Sequence, residues 1–136
     1  MKINPLRWEQ RLDNLLKAHK RLISACSLGQ YNELELAGLI QTFEFTFELT
    51  WKTLKDLLEF EGYTNVASPR STIRTSLTAE YLSVNACENL LDMLNKRNLF
   101  THTYDDATAQ EAKRLIIKEY QPTITQVVNN LNAKVG

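Results

Sequence analysis

One apolar stripe in the first half of the chain constrains the fold more than any other feature. Its large side chains follow one another at spacings of 4, 3, 4, 4, 3 and 4 residues: Leu36, Ile40, Phe43, Phe47, Trp51, Leu54 and Leu58. Such spacings keep one face of an α-helix apolar over about six turns. We therefore predict a long helix that packs this face into a core and ends at Gly62.

Two pairs of residues mark the starts of other helices. Asn4 followed by Pro5 is typical of a helix start, and the first helix is predicted to run from there to about Ser27. Ser68 followed by Pro69 is the same kind of pair and predicts a short helix over "RSTIRTSL".

The second half of the chain predicts two longer helices. One begins at about Thr78 and runs without a break into the segment around Arg97. Asp105, Asp106 and Thr108 are candidate caps for the last helix, and Thr108 with Glu111 matches a capping box. Pro122 is expected to kink or break this helix and to leave a weaker helical tail.

These elements predict an all-α fold, an antiparallel up-and-down four-helix bundle with a short additional helix. We expect a single domain over residues 1–136, with its core at about 8–120 and a C-terminal helical tail at 121–136. Phe45 points to a different side of the second helix from Phe43, so aromatic surface remains for a partner and self-association is an open alternative.

The charge composition limits the partners. The chain carries 16 basic and 16 acidic side chains, a net charge of zero, so no cationic field for nucleic acid covers its whole surface. Nucleic-acid binding would need a local basic patch or an interface of two chains. The start of the chain has no apolar segment of the signal-peptide kind, and no apolar run reaches membrane-spanning length, so we expect a cytoplasmic protein.

Metal chemistry is poorly supported. A di-metal carboxylate site in a bundle needs Glu-x-x-His pairs, and the residues three positions before His19 and His102 are leucines. The two cysteines, Cys26 and Cys87, form no ligand-spaced cluster with the histidines and are interpreted as reduced core residues. We expect neither a metal nor a cofactor, and His19, in "KAHKR", is interpreted as part of a solvated basic face.

The stretch "RNLFTHTYDD" holds the strongest candidate site. A histidine can exchange a proton near neutral pH and an arginine can stabilise charge on phosphoryl oxygens, so Arg97 and His102 suit metal-free phosphodiester cleavage. The alternative is a polar helix end beside a turn. On a regular helix these two residues stand about 140° apart. Either the helix distorts, or the arginine wraps round it, or a second chain completes the site.

Other charged pairs have two interpretations each. Arg70 and Arg74, one turn apart, can bind phosphate oxygens or form surface ion pairs. Glu44 and Glu48, also one turn apart, form either an acid–base pair or a solvated or interface face.

At the site stretch the chain resembles a known family. "RN" followed by "HTYD" is similar to the signature of HEPN-fold proteins of the nucleotidyltransferase substrate-binding family, which includes HepT-type toxins. "QTFEFTFELTWKTLKDLL" looks like that family's second helix, and "SPRSTIR" resembles its next segment. The resemblance extends from about Trp8 to Tyr120.

The resemblance implies a HEPN-like helical bundle that forms a homodimer and binds an MNT-type nucleotidyltransferase antitoxin. It implies a metal-independent ribonuclease toxin acting on RNA rather than DNA, away from membranes, with Arg97 and His102 catalytic and Asn98 supporting them. Tyr104 would accept AMP from the antitoxin and so switch the toxin off.

The remaining basic residues near the motif are candidate RNA or phosphate contacts: Arg70, Arg74 and Lys96. The alternative within the same family is a non-catalytic subunit that presents a small substrate to the nucleotidyltransferase.

Overall fold

The computed structural model describes residues 7–135, most of which are helical. The helices are α1 Arg7–Ala25, α2 Glu33–Phe60, α3 Pro69–Thr78, α4 Val84–Lys96, α5 Asp106–Leu115 and α6 Gln121–Asn132. A 3₁₀ turn, Leu99–His102, follows α4, and a π-helical turn, Ile116–Tyr120, joins α5 to α6. Residues 7–135 contain no β-strand, and the predicted all-α helical bundle is confirmed.

The long predicted helix is α2, and both of its ends have a local cause. The side chain of Asn32 accepts from the amide of Glu35, whose carboxylate in turn accepts from the amide of Asn32. At the other end Gly62 adopts a φ of +94°, a left-handed conformation that glycine reaches without strain. All seven side chains of the predicted stripe are buried.

Side-chain contacts show that α1 and α2 run antiparallel. Arg11 near the start of α1 donates from Nε to Oδ2 of Asp56 near the end of α2, at 2.6 Å. Further along α1, the carbonyl of Ala18 lies 3.5 Å from the hydroxyl of Thr46. The predicted start of this helix at Asn4–Pro5 lies outside the described residues.

In the second half of the chain, α4 likewise runs antiparallel to the segment formed by α5 and α6. Asn89 of α4 donates to the hydroxyl of Thr123 at 2.8 Å, and Asp92, one turn later in α4, accepts from the hydroxyl of Tyr120. Later residues of α4 therefore meet earlier residues of the α5–α6 segment, as in an antiparallel pair.

An aromatic cluster ties these two halves together. Phe43 lies at its centre, with ring centroids 6.3 Å from Phe47, 5.8 Å from Phe100 and 5.3 Å from Tyr120. Offset and edge-on contacts at such distances add to the energy of apolar burial. Since Phe100 belongs to the 3₁₀ turn, this cluster fixes the turn to the core.

The prediction of one continuous helix from Thr78 into the Arg97 segment is wrong. Thr78 ends α3, and the chain reverses at Glu80, whose φ is +66°. A new helix starts only after Ser83, whose hydroxyl accepts from the amide of Ala86 at 3.0 Å. The periodic pattern hid this break because residues on both sides of it are apolar.

The capping box predicted at Thr108 and Glu111 does not form. Asp105, one of the three candidate caps, is the residue that precedes α5, and the hydroxyl of Thr108 donates to its carboxylate at 2.9 Å from inside the helix. Glu111 pairs with Arg114 instead, at 2.6 Å.

The segment after Pro122 is a full part of the bundle, in contrast to the weaker tail that the sequence predicts. The π-helical turn lies just before the proline, which stands in the first turn of α6, where its missing N–H costs little. The buried apolar residues of α6 are Ile124, Val127, Val128 and Leu131.

His19 is buried, so its interpretation as part of a solvated face is wrong. Its Nε2 lies 2.7 Å from the hydroxyl of Thr125, which also accepts from the side chain of Gln121 at 2.6 Å. The lysines beside it misled the sequence interpretation, because only every third or fourth residue of a helix faces the core.

The two thiols are free, with Cys87 buried and Cys26 partly so, and burial raises the pKa of Cys26 to about 11. None of the helices described between residues 7 and 135 has the length and apolar character needed to cross a bilayer.

Candidate functional site

The chain leaves the regular helical path at Arg97, where the site stretch begins. α4 ends at Lys96, and after Asn98 the 3₁₀ turn carries the chain to His102. Phe100 in the middle of this turn is only 2% exposed, so its ring is the anchor that sets the turn's position. The angular objection drawn from a regular helix therefore no longer applies, since the helix is interrupted between Arg97 and His102.

Arg97 points toward α2. Its Nη1 donates to Oε1 of Glu48 at 2.7 Å, and the other oxygen of Glu48 lies 3.7 Å from the Lys52 ammonium. One turn earlier, burial raises the pKa of Glu44 while the Arg97 guanidinium opposes part of that rise. Glu48 thus holds Arg97 by a direct ion pair, and it is a site residue that sequence reasoning ranked low.

His102 pairs with the tyrosine of the motif. Its Nδ1 lies 3.2 Å from the hydroxyl of Tyr104, and the two rings meet edge to face with centroids 5.7 Å apart. Tyr104 is 85% exposed, and His102 is exposed as well. The imidazole can therefore exchange a proton with the phenol at a place open to a macromolecular partner.

Within residues 7–135, Arg97 and His102 form no hydrogen bond to each other. Arg97 donates to α2, whereas His102 contacts Tyr104. Within one chain, the two proposed catalytic groups therefore have different partners: Arg97 bonds to Glu48, and His102 contacts Tyr104.

The remaining candidate residues bond to neighbouring groups of the fold and do not contact Arg97 or His102 through the hydrogen bonds described for residues 7–135. Asn98 acts through its backbone: its carbonyl accepts from the hydroxyl of Thr101 at 2.7 Å. Arg70 reaches from α3 to the side chain of Asn95 at 2.9 Å, which brings it to the end of α4. Lys96 is paired with Asp92 at 3.2 Å. Of the three basic candidates, Arg70 and Lys96 therefore both lie near the C-terminal end of α4.

Arg74 follows one turn after Arg70 on α3 and is exposed. Its charge acts on Cys87, where burial raises the pKa of the thiol and the guanidinium opposes that rise.

A cavity of about 530 Å³ lies beside Tyr104, between the beginnings of α2 and α5. The residues that line it are Tyr31, Asn32, Glu33, Leu36, Ala37, Ile40, Thr103, Tyr104, Asp106, Ala109 and Gln110. Sequence reasoning missed it because nothing in the sequence pairs the segment around Tyr31 with the segment after His102.

The fold and site together define a class: a helical-bundle protein whose Arg–His–Tyr motif follows the end of one helix. The model of a family described as "nucleotidyltransferase substrate binding protein like" matches residues 10–133, so the chain belongs to this family. A crystal structure of a protein from Thermus thermophilus is similar to it, with 32% identity and a TM-score of 0.79 over 86% of this chain and 98% of that one. The comparison with curated proteins gave no match.

Proposed function

We propose that this chain is the target subunit of a two-component nucleotidyltransferase system, in which the partner transfers AMP from ATP to Tyr104. The observation that carries the proposal is the 3.2 Å contact between Nδ1 of His102 and an exposed phenol. Membership of the family supports a nucleotidyltransferase as the partner.

The transfer step uses groups that this chain supplies. The phenol oxygen of Tyr104 attacks the α-phosphorus of ATP, and a new oxygen–phosphorus bond forms. The bond from that phosphorus to the oxygen bridging toward the β-phosphate breaks, and pyrophosphate leaves. His102 takes the phenol proton when its Nδ1 is the unprotonated nitrogen.

The activity that this adduct controls is metal-independent RNA cleavage. The 2′-hydroxyl of RNA attacks the neighbouring phosphorus, the bond to the 5′ oxygen breaks, and a 2′,3′-cyclic phosphate and a 5′-hydroxyl end result. His102 of one copy of the chain takes the 2′ proton, and His102 of a second copy returns a proton to the leaving oxygen. Arg97 stabilises the negative charge on the phosphoryl oxygens. AMP on Tyr104 adds a bulky anion two residues from His102 and so blocks and repels RNA.

We propose that two copies of the chain complete this nuclease site as a homodimer. In one chain Arg97 and His102 have different partners. Phe45 and Leu99 are exposed on α2 and on the 3₁₀ turn, three residues before Glu48 and two residues after Arg97. A dimer through this apolar surface would place two copies of the motif in one cleft.

The nuclease is tested by RNA cleavage in EDTA with His102→Ala. Loss of a general acid–base group lowers such a rate by roughly 10²–10⁴-fold, and growth arrest on expression should disappear with it. Circular dichroism checks that the variant keeps its helices. Equal cleavage by the variant and the wild type would refute the assigned mechanism.

The adduct is tested by intact mass after incubation with the partner transferase and ATP. We expect the mass of one or more AMP groups on the wild type and none on Tyr104→Phe. Tyr63→Phe, at another exposed tyrosine, is the matched control and should be modified like the wild type.

A second candidate function is a non-catalytic subunit that presents a small substrate to the transferase. The family description and the cavity beside Tyr104 favour it. It predicts a stable complex with the transferase, transfer to a small substrate only when this chain is present, no adduct on Tyr104 and no RNA cleavage.

A further inference from the structure

We infer that the cavity between the starts of α2 and α5 binds the adenosine part of the AMP group carried by Tyr104. This inference rests on the proposed function. Tyr104 lines the cavity, so a group attached to its phenol oxygen starts beside the cavity. A volume of about 530 Å³ falls within the range of roughly 300–1,000 Å³ typical of small-molecule sites.

The inner wall of the cavity suits a purine ring. Its apolar side chains come from both helices: Leu36, Ala37, Ile40 and Ala109. Tyr31 adds an aromatic ring that is held in place, because its hydroxyl donates to the carbonyl of Ala25 and the Lys113 ammonium lies 5.6 Å from the ring centre. Any nucleobase can stack on an aromatic ring of this kind, because every base has a flat π-face.

The polar residues of the cavity favour adenosine in particular. Gln110 is exposed at its edge, and a side-chain amide can pair with both N6 and N7 of adenine. The carboxylates of Glu33 and Asp106 can accept hydrogen bonds from ribose hydroxyls.

The same two carboxylates set the orientation. A phosphate inside the cavity would face Glu33 and Asp106 at close range and be repelled. The phosphate must in any case stay on the phenol oxygen, which lies 3.2 Å from Nδ1 of His102, and His102 is not one of the residues that line the cavity. The base therefore enters the cavity and the phosphate remains outside.

Because the AMP group is attached to Tyr104, a weak affinity of the cavity for adenosine is enough to keep the cavity occupied. A short tether gives a ligand an effective concentration in the millimolar range. Adenosine is therefore held in the cavity if free AMP binds there with a Kd of a few millimolar or less. Once bound, the adduct becomes part of the protein surface and is shielded from enzymes that would remove it.

The direct test needs no transferase. Free AMP is titrated to about 10 mM into the unmodified chain and amide shifts are followed by NMR. We expect saturable shifts at Ala37, Ala109 and Gln110. They should vanish in Ala37→Trp, which fills the cavity from an exposed helix position, and persist in Ala133→Trp, a matched exposed alanine outside it.

A gentler variant guards against misfolding of the tryptophan variant. Gln110→Ala removes only an exposed amide and should weaken AMP binding by about tenfold or more. Absence of shifts up to about 10 mM, or shifts that neither variant reduces, would overturn the inference.

The adduct gives a second reading that separates this inference from the proposed function. With AMP on Tyr104, a phosphodiesterase should release AMP faster from Ala37→Trp than from the wild type or Ala133→Trp, and equal rates would count against the cavity. If no adduct forms, the proposed function fails while the AMP titration still decides the cavity. If the adduct forms but free AMP does not bind, only the cavity inference fails.

Discussion

Two acidic side chains of α2 show how burial decides the strength of an ion pair. Asp56 is 3% exposed and bonded to Arg11 at 2.6 Å, whereas Glu48 is 35% exposed and bonded to Arg97 at 2.7 Å. The lengths are nearly equal, but an unpaired carboxylate at Asp56 would be left without water.

We expect Arg11→Met to lower the free energy of unfolding by about 3 kcal/mol, since Arg7, at 3.9 Å, compensates only in part. Glu48→Gln should lower it by less than about 1 kcal/mol. Urea unfolding measures both. Equal losses would contradict this view of the two pairs.

His19 makes stability depend on pH. Burial lowers its pKa below the ordinary value of 6.5, so the unfolded chain takes up a proton at a higher pH than the folded chain. The contribution of His19 to the free energy of unfolding is therefore fully present above pH 6.5. It is lost as the pH falls from 6.5 toward the lower pKa of the folded state.

We expect the wild type to lose more stability than His19→Gln between about pH 7.5 and pH 5.5. Glutamine keeps a group that can hydrogen-bond to Thr125 but does not titrate. Thermal unfolding at several pH values measures the difference, and parallel curves for the two proteins would show that His19 is not responsible.

Among the helices, α6 departs most from what its sequence predicts. Leu131 is buried against the same core as α1 and α4. Leu131→Ala should therefore lower the unfolding free energy by about 2–4 kcal/mol. Val135→Ala, at an exposed position four residues later, should change it by less than about 0.5 kcal/mol. Similar small effects of both would mean that α6 is indeed a weak tail.

Helix identity was predictable from the sequence, and helix ends were predictable only where a local signal acts alone. Ser68–Pro69 and Gly62 were recognised because each acts on its own turn of the chain, Ser68 through its side chain and Gly62 through its backbone, whereas the equally local cap at Asn32 was not recognised. The break at Glu80 and the burial of α6 depend on contacts with distant helices, which spacing along the chain does not encode.

For the domain as a whole, the number of chains in solution is the decisive property. Phe45 is 58% exposed on the face of α2 that also carries Glu48. If this face joins two copies, light scattering should give twice the mass of 15.7 kDa for the wild type and a single mass for Phe45→Glu. The variant should keep its helical spectrum, because Phe45 lies outside the core, and should lose RNA cleavage. A wild-type monomer that cleaves RNA would refute the shared site.

The residues of the candidate site could be proposed from the sequence, whereas their geometry could not. His102 stands out because the chain has only two histidines, and Arg97 and Tyr104 stand out because both lie within five residues of it. The role of Glu48 and the cavity beside Tyr104 arise from segments that are tens of residues apart and meet only in the folded bundle.

Phe100 belongs at once to the aromatic cluster and to the 3₁₀ turn that carries His102. Surface segments commonly tolerate insertions and deletions. Here one added residue on either side of Phe100 would pull its ring out of the core or displace the motif. We therefore expect relatives to differ in the exposed side chains of this segment but to keep its length. The fixed number of residues between Arg97 and His102 is then a consequence of packing as much as of chemistry.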